Sequence, residues 1–123
     1  MKTESDRPFG PNAGLRRVAT GCTFTEGPAA DTEGNLYFSD CPNNRILVLT
    51  RDGEQKVWLD PSGRANGMNF DPQGRLVTCC AQGEGGRRAV IRFESDGSET
   101  VLASGYDGKS LNSPNDLCFD PAG

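Results

Sequence analysis

Apolar residues along this chain gather in short runs, each closed off by Gly, Asp, Asn, Pro or Ser. No stretch of useful length carries the three-to-four-residue spacing of an amphipathic helix. Three segments align with one another: EGPAADTEGNLYFSD (26–40), NGMNFDPQGRLVTCC (66–80) and NDLCFDPAG (115–123). Each holds a strand-like run followed by Asp-x-x-Gly, at Asp31, Asp71 and Asp120, and in the first two a second strand-like run follows at once. A further matching pair lies between them, NRILVLTRDGEQKVWL (44–59) and RAVIRFESDGSETVLA (88–103). There Asp52-Gly53 and Asp96-Gly97 join two β-rich runs, and an Asp-Gly pair predicts a tight hairpin with positive φ at both turn positions. Each unit therefore holds four predicted strands.

The aspartates repeat at intervals of 40 (Asp31 to Asp71), 44 (Asp52 to Asp96) and 49 residues (Asp71 to Asp120). Four strands in that length describe one blade of a β-propeller. Blade one is predicted over 24–60, blade two over 66–103, and blade three begins at 115. The fold class is all-β, with about two and a half propeller blades in this chain. A polar tail occupies 1–14 and a propeller domain, incomplete at its C-terminal side, occupies 15–123. A propeller closes its ring to protect its strand edges and needs at least four blades, so the expectation is a piece of a larger protein. Left as an open arc, it would expose a blade edge and aggregate with concentration. Leu15–Thr20 suits the strand that completes the last blade of a closed ring, with nothing here to pair with, and 1–12 is expected to be poorly ordered.

Composition narrows the chemistry. Gly 16 and Pro 8 beside 34% hydrophobic residues fit a turn-rich β protein. Thirteen basic and seventeen acidic residues give a net charge of −4 with no basic stripe, which argues against nucleic acid as a partner. The opening residues have no apolar core of signal-peptide length and nowhere do eighteen apolar residues run together, so the reading is a soluble, cytoplasmic protein with no membrane partner. Five cysteines without CxxC spacing read as reduced, mostly buried thiols. The chain has no histidine, which removes Ser-His-Asp, Cys-His and His-ligated metal chemistry from these residues. Carboxylates, amides, Lys, Arg or an oxygen-ligated metal remain.

Aligning the blades on their Asp-x-x-Gly turns places the residues five before each Asp at one level: Glu26, Asn66 and Asn115. The first strand of each blade lines a propeller's central channel, so these three start adjacent inner strands and face one axis. Converging carboxylate and amide oxygens suit a hard cation such as Ca²⁺. The same residue types also cap strand starts and turns, and Asn66-Gly67 reads equally as a turn, so the repeat alone leaves both readings open.

Further residues carry a resemblance. TFTEGP (23–28), LYFSD (36–40), NRI (44–46), Asn66-Gly67, GRR (86–88) and above all LNSPND (111–116) resemble the gluconolactonase/senescence-marker-protein/luciferin-regenerating-enzyme family over residues 15–123. That resemblance implies a six-bladed propeller with one divalent cation, usually Ca²⁺, in its channel, and hydrolysis of sugar lactones or, in relatives, of other esters. It implies that Glu26 is a metal ligand and that Asn115 lies at the metal and substrate position, with Asn66 a substrate contact. The family's remaining ligands, an Asn in a middle blade and a later Asp that is also the candidate base, fall beyond this chain. The implied partner is a small lactone, the implied cofactor Ca²⁺ or another divalent cation, and pocket loops would choose the substrate. A reading from another class is a non-catalytic propeller whose channel mouth binds a ligand or protein, since the fold serves both.

Other residues have simpler expectations. Arg87 and Arg88 read as solvated loop charges or as groups reaching a polar substrate. Asp40 reads as a hydrogen-bonding residue at a strand end, and Asp116 as an acceptor of backbone N–H groups that holds Asn115 in place. Adjacent Cys79 and Cys80 point to opposite faces of a strand and read as packing. Trp58 is expected between blades.

Overall fold

The computed structural model describes residues 9–10 and 13–122. Two four-stranded antiparallel meanders make up the body of the chain, at the positions the repeat predicts. In the first, β1 (Thr25–Ala30), β2 (Leu36–Asp40), β3 (Arg45–Leu49) and β4 (Gln55–Leu59) pair in sequence order. In the second, β5 (Ala65–Phe70), β6 (Leu76–Cys80), β7 (Ala89–Phe93) and β8 (Glu99–Ala103) do the same. These are two propeller blades. A two-stranded ribbon, β9 (Gly105–Tyr106) and β10 (Lys109–Ser110), follows them. Among the described residues no helix is long and apolar enough to cross a membrane.

Four hairpins share one geometry. The N–H groups of Gly34, Gly53, Gly74 and Gly97 donate to the carbonyls of Asp31, Thr50, Asp71 and Glu94, and those four residues donate back to Asn35, Glu54, Arg75 and Ser98. This is a type I turn closed by a left-handed glycine, as the φ values of 77–89° require. The expectation of positive φ at both residues of each Asp-Gly pair is corrected here: only Gly53 and Gly97 adopt it, because each turn starts two residues before the Asp. The mirror-image turn occurs at a pair the sequence reading passed over, Asp107 (φ 49°) and Gly108 (φ 73°), between β9 and β10.

The blades dock face to face with β1 along β5. Ala29, Ile46, Ala65, Met68 and Leu76 form the core between them, flanked by Tyr37, Leu59, Phe70 and Phe93. Trp58 does lie between blades: its ring meets Tyr37 edge-on at 5.6 Å and Phe93 of the second blade at 5.1 Å, while Tyr37 meets Phe70 at 5.2 Å. Cys79 and Cys80 are free and buried, and burial pushes the Cys80 thiol up to about 12. That is a packing thiol, not a reactive one.

Two expectations at the ends of the chain resolve differently. Leu15–Thr20 forms no strand; Leu15 and Val18 are exposed, and the segment is tied to β4 where Gln55 Nε2 donates to the Thr20 carbonyl at 2.9 Å. The expected disorder of 1–12 falls, apart from 9–10, outside the described residues. The predicted inner strand of blade three, from Asn115, does not form: 111–120 carry no regular structure and 121–122 make a turn.

Asp40 closes the first blade. Its carboxylate is fully buried and accepts the N–H groups of Thr23 (3.0 Å) and Phe24 (3.3 Å), Asn43 Nδ2 (2.8 Å) and the Arg45 guanidinium (2.9 Å). Burial pushes this carboxyl up, but the bonds from Asn43, Thr23, Arg45 and Phe24 together hold it below its ordinary 3.8. Asp71, bonded to the Arg75 and Gln73 backbone and to the Arg75 guanidinium, is lowered in the same way against the opposing effect of burial. A carboxyl lowered on folding adds stability above its unfolded value and loses it as pH falls through the native one. Acid unfolding monitored by circular dichroism is therefore expected to set in below about pH 4, with a shallower pH dependence in Asp40→Asn than in the wild type. Asp40→Ala is expected to cost about 3 kcal/mol in a denaturant titration, because it removes the buried carboxylate that the Arg45 guanidinium, Asn43 and the Thr23 and Phe24 N–H groups share.

Candidate functional site

The inner strands approach so closely because two glycines permit it. A Cβ on Gly27 would run into the Asn66 carbonyl and lie 2.7 Å from Gly67 Cα and 2.9 Å from Met68 N. A Cβ on Gly67 would run into the Asp116 carboxylate and lie 2.6 Å from both the Asn115 carbonyl oxygen and Asp116 Cα. Residues 26–28, 66–68 and 115–116 are thus stacked backbone against backbone, and the Gly67 N–H donates to the Asn115 carbonyl at 2.7 Å.

Both β1 and β5 are irregular at this level, between Glu26 and Ala29 and between Ala65 and Met68. Such a bulge frees carbonyls from the ladder. Buried hydroxyls take them up: Ser39 Oγ on β2 lies 3.0 Å from the carbonyls of both Glu26 and Asn66, so its single proton is shared, and Thr78 Oγ1 on β6 donates to the Gly67 carbonyl at 3.1 Å. Sequence reasoning missed Ser39 and Thr78. The available signal was a small hydroxyl residue inside each second strand, LYFSD and LVTCC, one or two residues before the strand end.

Glu26, Asn66 and Asn115 therefore sit on three adjoining segments at one level, the first two half-buried and the third exposed. Among the described residues their side chains take part in no hydrogen bond or ion pair, whereas Asp31, Asp40 and Asp71 are each bonded several times over. No group of three or more His, Cys, Asp or Glu placed to hold a metal occurs among the described residues. The donors offered here are one carboxylate and two amides. A cavity of about 580 Å³ opens beside β1, lined by Glu26, Pro28, Leu36, Phe38 and the approach segment from Arg17.

Three neighbours complete the picture. Asp116 Oδ1 accepts the N–H of Leu117 at 2.9 Å, and its charge beside Cys79 adds to the effect of burial in raising that thiol. Arg87 pairs with Glu99 at 2.7 Å. Arg88 donates to the Leu111 carbonyl at 2.9 Å and to Asn112 Oδ1 at 3.3 Å. Both arginines are exposed, as expected of loop charges, and both are also bonded.

The family model described as the SMP-30/gluconolactonase/LRE-like region matches residues 24–123, which includes both blades and all three of these segments. The chain belongs to that family. It is 32% identical over 121 residues to a gluconolactonase from Zymomonas mobilis subsp. mobilis, covering 86% of this chain and 33% of that protein. It superposes with a TM-score of 0.77 at 40% identity on XC5397 from Xanthomonas campestris, a gluconolactonase important in glucose secondary metabolic pathways, over 86% of this chain and 35% of that one. A crystal structure assigned to a gluconolactonase matches with a TM-score of 0.82 at 36% identity, over 94% of this chain and 41% of its own. The chain thus spans about a third to two fifths of the length of these relatives.

The stacking of the inner segments makes a direct prediction. Gly67→Ala is expected to push Asn115 off β5, so that the Gly67 position loses amide-exchange protection while β7 and β8 keep theirs, at a cost of about 1–3 kcal/mol. Gly53→Ala, at an open turn with φ 89°, is expected to cost about 1 kcal/mol through backbone strain and to leave the inner strands unchanged in the same exchange experiment.

Proposed function

We propose that the protein carrying this chain is a calcium-dependent hydrolase of sugar lactones and that Glu26, Asn66 and Asn115 are this chain's share of its site. The observation that carries the reading is the stacking of three inner segments that present one carboxylate and two amides at one level, unengaged among the described residues. Hard oxygen donors without His or thiolate fit a divalent cation of the calcium type. The family supports a lactone as substrate.

In this reading Glu26 is a metal ligand, Asn115 serves metal and substrate, and Asn66 orients the substrate. The cation, when bound, supplies Lewis-acid polarisation of the lactone carbonyl. As a ligand Glu26 would be occupied by the cation and so would not serve as the base. The amides of Asn66 and Asn115 can donate to ring oxygens and accept from ring hydroxyls, which fixes the ester group relative to Glu26. Ser39 and Thr78 hold the backbone carbonyls behind them, so the side chains project from a fixed frame. The general base is assigned to no residue of this chain.

The test is hydrolysis of D-glucono-1,5-lactone by the full polypeptide that carries this chain, after EDTA treatment and again with Ca²⁺ restored. Activity is expected to vanish with the chelator and return with the metal, and Glu26→Gln is expected to lower kcat/KM roughly a hundredfold. A folded protein inactive with every divalent cation tried would overturn the lactonase reading in favour of a binding propeller.

A further inference from the structure

We propose that Arg88 is a positioning residue for Asn115, fastening the Leu111–Ser113 segment so that Asn115 meets β5 in a single register. Its functional consequence rests on the calcium-lactonase reading; its structural part does not. Between β10 and Ala122 the chain has no ladder pairing, so something other than a sheet must place Asn115. The contacts that do so come from the loop Ala81–Arg88. Arg88 donates through Nε to the Leu111 carbonyl and through Nη2 to Asn112 Oδ1, and the Gln82 N–H donates to Ser113 Oγ at 3.2 Å. Two residues further on, the Asn115 carbonyl takes the Gly67 N–H.

The loop is itself anchored on its other side. Arg64 Nε donates to the Glu84 carbonyl at 3.0 Å and its guanidinium lies against Gly83, while the Arg87 N–H donates to the Gly63 carbonyl at 3.1 Å. The loop thus spans from 63–64 to 111–113. Its counterpart in blade one, between β2 and β3, is half as long, with four residues against eight. Arg88 holds the place of Asn44, the last residue of that shorter loop, which has the same left-handed backbone (φ 52°) and fastens the following segment by accepting from Ser62 Oγ and the Arg64 N–H. Arg88 also holds φ at 51°, a left-handed conformation that disfavours a long side chain and persists only where surrounding contacts impose it. Its two donors leave in the fixed fork of a guanidinium, an arrangement that lysine cannot reproduce.

The experiment compares wild type, Arg88→Ala and Arg88→Lys in the full polypeptide by amide exchange and by Ca²⁺ titration of lactone hydrolysis. In Arg88→Ala the Gly67 amide and those of 111–116 are expected to exchange roughly tenfold faster, with β6 and β7 at wild-type rates. The Ca²⁺ concentration for half-activation is expected to rise by a similar factor while the rate at saturating Ca²⁺ stays within about twofold. Arg88→Lys is expected to resemble the alanine variant, since charge alone does not restore both bonds. Unchanged exchange at Gly67, or uniform acceleration throughout blade two, overturns the proposal. Wild-type Ca²⁺ dependence in Glu26→Gln would instead sink the metal reading, and the exchange result at Gly67 would still decide the role of Arg88.

Discussion

Everything at the inner edge of this structure depends on how closely three backbones approach one another. Gly27 against Asn66–Met68 and Gly67 against Asn115–Asp116 leave no room for a single added carbon. With any other residue at either position the strands would stand apart by at least a methyl group, and the Gly67 N–H would lose the Asn115 carbonyl. The close contact also explains the two bulges. Strands that converge this tightly cannot keep a regular ladder with their outer neighbours, so β1 and β5 leave it where they meet, and hydroxyls from the second strand of each blade satisfy the carbonyls released.

The polar residues divide accordingly into two populations. Asp31, Asp40 and Asp71 are spent on the frame, each bonded by backbone and side-chain donors, and those bonds lower their pKa values against the opposing effect of burial. Glu26, Asn66 and Asn115 are left without partners among the described residues. A carboxylate that is fully bonded in the folded state has nothing to offer a ligand, whereas an unengaged one on a rigid strand has lost little freedom that binding would still have to remove. The separation of structural from available oxygens is what gives the inner edge its chemical character.

Most of the blade architecture was legible because each blade obeys local rules. Apolar runs bounded by Asp-x-x-Gly and Asp-Gly located all eight blade strands, and the phase of Asp31, Asp71 and Asp120 was enough to align Glu26, Asn66 and Asn115. The turn type was misread because the same Asp-Gly dipeptide serves two hairpins that differ in where the turn starts, a difference fixed by the hydrogen bonds of Thr50 and Glu94 and not by the pair itself. β9 and β10 escaped because two-residue strands carry no periodicity. Ser39 and Thr78 escaped because a hydroxyl in a strand looks the same whether it faces water or a freed carbonyl. Arg88 was beyond reach for a different reason: its partners lie on a segment more than twenty residues later, and no pattern in the sequence links them.

The meander order of the strands has a consequence for how the molecule is built. Within a blade every strand meets the one just made, across a connection of four to eight residues, so sheet formation closes only short loops. The docking of β1 on β5 is another matter, since Gly27 and Gly67 lie 40 residues apart. Assembly therefore separates into fast local pairing and slower joining of finished sheets. A polypeptide leaving the ribosome can complete one blade before the next has fully emerged, and the order of synthesis then becomes the order in which the inner edge is laid down.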